Sequence, residues 1–471
     1  MIKQKKVHFV GIKGVGMTAL AIIAKQAGFV VSGSDIAQEF ITDETLKKAD
    51  IEPFVSFSKD HITSDIDLVI ATGAHGGYDN VEVKTAKEKH VPVFMQGQAV
   101  GEFMKGELFG RSYIGISVTG THGKTTTTAM IATMLANAGK DPSYIIGTSN
   151  VPSLGHPGHF GKGEHFVAEA DEYATEPVYD KTPKFLWQHP KIAVFTNIEH
   201  DHPDLYPTID DVREAFLQFA NSLSKDATLI ACGDDPQIQK LIKNYSGKVI
   251  TYGKGKENDY VLSNVQSNNG KTLFSVFHKE SHVGDFLLNI SGEHNALNAL
   301  SAIVVGSFIG LSKEEITKGL LAFSGSKRRF EYVGKLGTGA LLYDDYAHHP
   351  TEIKKTLEAF RDAFPDKKIV CIFQPHTYSR TKSLFNEFSQ SFKAADVVVL
   401  VDIYPSLREV PDPMVSSEKL AGAVRAVWQD VVYKKTLSDV TEYLTQQNFK
   451  EDTVVITMGA GDIYKIAETL V

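Results

Sequence analysis

VTGTHGKTTTT, residues 118–128, decides how the chain is read. The apolar run SYIGISV leads into it, and a helix-compatible stretch from about Thr125 to Ala138 follows. Strand, glycine turn and helix in that order form a cradle for an anion: the glycines let backbone amides curl around it and the helix N-terminus faces it. In the familiar phosphate loop, G-x-x-x-x-G-K-[ST], the two glycines stand further apart. Here only Thr121 and His122 separate Gly120 from Gly123. So short a turn cups fewer phosphate oxygens, and other segments are expected to complete the site. Lys124 is placed to reach outer phosphates, and the Thr125 hydroxyl to ligate Mg²⁺. Thr128, Ile131, Met134 and Leu135 recur at helical spacing, which predicts a helix seated on a sheet by one face.

Upstream, KVHFVGI reads as a strand before a glycine turn, MTALAIIAKQAG as a helix closed by Gly28, and FVVSGSD and DLVIATGA as further strands. That rhythm predicts a parallel, doubly wound sheet. Gly14, Gly16 and Ala19 fit G-x-G-x-x-A around Val15, and Asp35 follows the second strand. Taken alone this is a dinucleotide fingerprint, and it leaves a dinucleotide-dependent oxidoreductase open. Downstream, HFVAEAD, KIAVFTNI and ATLIACG are apolar strands. VITYG, YVLSNVQ, TLFSVFH and DFLLNI, short and separated by Gly, Asn and Lys, predict a small antiparallel patch. ALSAIVVGSFIGL at 299–311 is too short to span a bilayer and reads as a buried helix. Beyond Ser326, LLYDDYA, KIVCIFQ, DVVVLVD and TVVITMG alternate with helical stretches, the first striped by Ile353, Leu357, Phe360 and Phe364.

The 471 residues are too many for one ordinary core and suggest three domains. A net charge of −8 offers no electrostatic reason to expect nucleic acid or an anionic membrane as partner. Cys232 and Cys371 build neither a disulfide framework nor a CxxC pair, which suits a reducing cytoplasm. The leading MIKQKKVHFVGIKG is basic but lacks the apolar core of a signal peptide.

GTHGKTTTT resembles the loop of the Mur ligases, the ATP-dependent amide-forming enzymes of peptidoglycan precursor synthesis. The resemblance runs along essentially the whole chain. It is carried by HFVGIKGVGM, AEADE at 168–172, TNIEHDHPDLY at 196–206, GEHNALNA at 292–299 and KRRFE at 327–331. DDYAHHPTEI at 344–353, FQPHTYSRT at 373–381, DIYPSLRE at 402–409 and GAGDI at 459–463 complete it. It implies an α/β chain of three domains. These are a Rossmann-like UDP-sugar domain (1–108), a central P-loop ATPase-like domain with the antiparallel patch (109–325), and a Rossmann-like amino-acid domain (326–471).

The implied reaction activates the lactyl carboxylate of UDP-N-acetylmuramic acid with ATP, and an amine then displaces phosphate. Gly120, Thr121, His122, Gly123, Lys124, Thr125 and Thr126 would cradle the phosphates. His294 would stack on the adenine, Asn295 would read its edge, Arg329 would contact phosphate and Asp345 the ribose. Thr125, Glu169 and His202 are similar to family ligands of Mg²⁺ or Mn²⁺. Gly14, Val15, Gly16, Asp35 and His75 fall to the sugar nucleotide. His348 would face the reacting carboxylate, with His376 beside Arg380, and Arg380 would hold the amino-acid carboxylate.

The third-domain motifs point to the branch that joins L-alanine. ADEYATEPVYDKTPKF at 170–185 is more like the branch that recycles the tripeptide L-Ala-D-Glu-meso-diaminopimelate onto the same nucleotide. The amino substrate is held largely by the third domain, so alanine is the first reading and the tripeptide the alternative. Two departures from the family stand out: Lys13 where glycine is usual, and ATGAHGGYDN at 71–80 in place of a serine-rich turn. Ala215 occupies the position of a lysine that other members carbamylate, so that modification is not expected. A cytoplasmic monomer or weak homodimer is the expected form.

Overall fold

The computed structural model describes residues 4–268, 270–406, 409–428 and 430–471. Residues 1–3 of the basic leader, and Leu407 and Arg408 of DIYPSLRE, lie outside the described residues. Three sheets follow one another along the chain. The first has five parallel strands, ordered Phe54–Val55, Val30–Asp35, Lys6–Val10, Leu68–Ala71 and Val93–Met95. Its first crossover is the helix Val15–Gln26, buried from Met17 to Ala24.

The central sheet has ten strands. Ile114–Thr119, the strand that feeds the glycine turn, lies between Ile192–Phe195 and His165–Glu169, all three parallel. The chain leaves this strand first toward one side of the sheet and later returns on the other. The turn therefore opens at a topological switch point, where open α/β sheets leave a crevice beyond their strand ends. On the far side come Thr228–Cys232, Lys248–Gly253 and Tyr260–Asn268, still parallel, then Lys271–His278 and Ser281–Leu288, antiparallel. The expected patch is thus corrected: VITYG belongs to the parallel sheet, and the antiparallel strands extend that same sheet. Hairpins need only a few residues between strands, so the sheet continues without further crossovers.

The third sheet has six strands, parallel except for the edge strand Glu331–Lys335. The helix Pro350–Ala363 lies on it through Ile353, Leu357 and Phe360, with Phe364 partly buried.

A second correction concerns the helix Lys124–Asn137. Every residue from Thr125 to Leu135 is buried, so it is enclosed on all sides, not seated by a single face. The helices Glu293–Phe308 and Lys313–Ala322 cover what one-sided packing would leave open. Ala215 sits in the aromatic core beneath the central sheet, next to Phe216 and Phe219. Phe219 stacks on Phe185 and Phe195, with ring centroids 4.8 and 5.8 Å apart. A long cationic side chain at 215 would have no water to reach there.

Candidate functional site

The clipped turn is stapled to the segment that follows Ile192–Phe195. Thr121 N donates to Asn197 O (3.1 Å), His122 N to Asn197 Oδ1 (2.9 Å), and Thr196 Oγ1 to His122 O (2.6 Å). Two amides that a longer loop would aim at phosphate are therefore already engaged, and those of Gly123 to Thr126 remain at the helix start. Gly123 caps that helix at φ +83°, and a Cβ there would come within 2.6 Å of Asn298 Oδ1. Both facts demand glycine.

Lys124 folds back over its own loop. Its Nζ donates to Gly120 O (2.6 Å) and pairs with Glu172 (2.9 Å). Burial opposes its charge, but Glu172 and Asp171 hold it above its ordinary value. Thr125 Oγ1 donates to Glu169 Oε2 (3.1 Å), and Gly147 N reaches Glu169 Oε1. Burial pushes the Glu169 carboxyl up. A hydroxyl and a half-buried carboxylate at a strand end are the hard oxygen donors that Mg²⁺ prefers, so these residues fit the ion that the sequence suggests. His202 stands apart from that pair. Its Nε2 is 4.0 Å from Glu172 and 3.8 Å from Asp201, and its ring packs on Tyr173.

A cavity of about 290 Å³ opens between the central and C-terminal sheets. His122, Gly123 and Thr126 line it, together with His294, Asn295, Arg329 and Asp345. Residues scattered over more than two hundred positions thus share one wall. His294 is kept neutral: burial, then Lys355 and Arg329, pull it down to about 4. Asn295 also lines the cavity, and one of its amide hydrogens donates back to Ser291 O (2.7 Å). Asn298, one helical turn on, faces the loop instead. The two oxygens of Asp345 accept from Phe330 N (2.7 Å) and Ala347 N (2.8 Å), which ties down the strand ends. Burial pushes its carboxyl up to about 6. Arg329 stands 3.5 Å from Glu352 and over the Tyr346 ring. Its neighbour Arg328 is structural, bound to Asp344 and to the carbonyls of Gly459 and Gly461.

Arg380 is paired across the domains. Its Nε and Nη2 both lie 2.8 Å from Asp201 Oδ1, and Nη1 is 3.2 Å from His376 Nδ1. An amino-acid carboxylate must therefore approach the Nη1 edge or displace Asp201. His348 Nδ1 is 3.0 Å from Tyr346 O and so carries the proton, which leaves the lone pair on Nε2. Burial drives this ring down to about 3.

In the first domain, Asp35 is turned inward and organises the glycine turn. It accepts from Lys13 N (2.8 Å) and Ile36 N (2.8 Å), and His75 Nε2 is 3.4 Å away. Lys13 Nζ points to Gln38 O and Asp43, so it anchors the following loop. Gly14 caps the first helix. Val15 opens that helix, and Gly16 leaves room for the Gln96 amide, which a Cβ there would meet at 2.9 Å. The unusual stretch 71–80 meets the stretch 170–185 that resembles the tripeptide branch. Tyr179 donates to Asp79 (2.6 Å), and Gly77 lies against Glu176.

Glu172, Asn197, Glu199, Asp201, Asn298, His349 and Glu352 escaped the sequence reading as site residues. All seven lie within a motif that also holds a named candidate, and that shared membership was the only available signal.

Three family models match in order: the Mur ligase family catalytic domain at residues 6–107, the Mur ligase middle domain at 118–306, and the glutamate ligase domain at 328–461. The UDP-N-acetylmuramate–L-alanine ligase of Desulfitobacterium hafniense is 41% identical over 99% of both chains. Among solved structures, the UDP-N-acetylmuramate-alanine ligase MurC of Thermotoga maritima superposes with a TM-score of 0.81 at 29% identity, covering 99% of this chain and 98% of that one. A murein peptide ligase of Psychrobacter arcticus, at 23% identity, shares the fold with a TM-score of 0.72 over 99% of this chain and 98% of its own.

Proposed function

Because the chain belongs to the Mur ligase family, we propose that it uses ATP to join L-alanine to the lactyl carboxylate of UDP-N-acetylmuramic acid. The observation that carries this reading is the cavity where the phosphate loop, His294, Arg329 and Asp345 converge. ATP lies there with its phosphates at Gly123–Thr126. A carboxylate is a poor electrophile, and transfer of the γ-phosphoryl group gives it a leaving group. The amine of alanine then attacks the carbonyl carbon, and the C–O bond to phosphate breaks.

The protein's work is positioning and charge neutralisation. Lys124 and Arg329 face the phosphates. Arg380, with His376 beside it, holds the alanine carboxylate, and His348 Nε2 accepts an N–H from the amine. Thr125 and Glu169 would hold one Mg²⁺ and His202 would ligate a second, which would supply charge neutralisation between the anionic reactants. Gly14, Val15 and Gly16 present the first helix's N-terminus to the diphosphate. Asp35 and His75 support that turn. Domain limits at 1–108, 109–325 and 326–471 are supported by sheet membership. The chain acts on small molecules in the cytoplasm as a monomer or weak homodimer. Among the described residues, no helix is long and apolar enough to cross a membrane.

The test is phosphate release from ATP with UDP-N-acetylmuramic acid, comparing L-alanine, other amino acids and the tripeptide. L-alanine is expected to be fastest. A preference for the tripeptide would overturn the acceptor, and nicotinamide turnover without phosphate release would overturn the ligase.

A further inference from the structure

We propose that His122, Glu199 and His349 form a further cation site, suited to a borderline divalent ion of the Zn²⁺ class. This site would join the phosphate loop to the C-terminal domain. One ligand atom from each lies within 4.8 Å of the other two, the one such His/Cys/Asp/Glu cluster among the described residues. His122 Nε2 is 3.5 Å and His349 Nδ1 3.8 Å from Glu199 Oε2. Ligands about 2.0–2.1 Å from a tetrahedral ion stand roughly 3.4 Å apart, so small side-chain movements close the site. Two imidazoles and one carboxylate select Zn²⁺ or Co²⁺ over Mg²⁺, which prefers oxygen.

A second observation concerns what surrounds the two rings. His122 is nine-tenths buried, and its Nε2 has no hydrogen-bond partner among the described residues. The far side of each ring is already oriented. His122 Nδ1 lies 3.3 Å from Glu352 Oε1, and His349 Nε2 lies 3.3 Å from His200 O. A carboxylate or carbonyl behind each imidazole is what fixes a metal-binding tautomer. The long 3.3 Å contact from Thr351 N to His349 Nδ1 is the interaction that a cation would replace. Thr351 Oγ1 stays on Glu199 (2.5 Å) as outer support.

The three ligands come from the phosphate loop, the segment after Ile192–Phe195, and the cap of the helix Pro350–Ala363. An ion here cross-links two domains beside the cavity, whose wall includes His122 and Glu199.

The test titrates chelator-treated full-length protein with Co²⁺, a chromophoric substitute for Zn²⁺, in excess Mg²⁺. One equivalent is expected to give visible ligand-field bands that Zn²⁺ bleaches and that raise the thermal midpoint. The bands are lost in Glu199→Gln and in His349→Asn, which keeps a helix-capping side chain, and persist in Glu169→Gln. Absence of bands in the unsubstituted protein, or bands that survive His349→Asn, would overturn the site. Alanine-dependent phosphate release is measured separately, so this failure and failure of the ligase reading are distinguishable.

Discussion

Lys124 and Asp345 show how burial makes single groups decisive. Lys124 is held by Glu172 and by its own loop carbonyl, poised over the phosphate position. Lys124→Ala is expected to abolish phosphate release while leaving sugar-nucleotide binding intact by calorimetry; unchanged turnover would remove the loop from the mechanism. Asp345 titrates near 6 in the folded chain, against 3.8 when exposed. Its folded pKa is raised, so its contribution favours folding below about pH 4 and is lost as pH rises through 6. The loss is on the order of 2–3 kcal/mol at most. Denaturant midpoints taken from pH 4 to pH 7 should show this decline in the unsubstituted protein and a flatter profile in Asp345→Asn. Parallel profiles would show that the buried carboxyl does not titrate in that window.

The helix Lys124–Asn137 is the element on which the site turns, and the four threonines of its first turns divide the work. Thr125 meets Glu169, Thr126 lines the cavity, and Thr128 donates back to Lys124 O. The fully buried Thr127 hydroxyl has no partner among the described residues. Thr127→Val is therefore expected to raise stability by about 1 kcal/mol, since an unpaired buried hydroxyl costs roughly 1–3 kcal/mol, with turnover unchanged. A lower thermal midpoint would mean the hydroxyl is satisfied. Gly123→Ala should act in the opposite direction. The left-handed backbone alone costs about 1–2 kcal/mol, and the methyl also meets Asn298. Phosphate release should fall at least tenfold.

Across the whole molecule, the C-terminal domain is held onto the central one by charged groups. Asp201 meets Arg380, and Glu199 meets Thr351 beside His122 and Glu352. Asp201→Asn leaves a buried guanidinium without its counter-charge, a loss that for buried pairs runs to about 3–5 kcal/mol. The expected outcome is an open chain in solution. Its radius of gyration by X-ray scattering should exceed that of the unsubstituted protein, and the KM for L-alanine should rise. An unchanged scattering curve would show that other contacts hold the domains.

The alternation of apolar strands and helices, the order of three α/β units and the phosphate loop were legible in the chain itself. Each depends on residues close together in sequence: GTHGKT joins its strand to its helix within a few positions, although how fully that helix is enclosed was not in its periodicity. The inward turn of Asp35 onto Lys13 N and the pairing of Arg380 with Asp201 were decided only by tertiary structure. So was the meeting of His122, Glu199 and His349. A motif fixes which groups are available, but a side chain's partner depends on which distant backbone arrives beside it, and no local spacing encodes that.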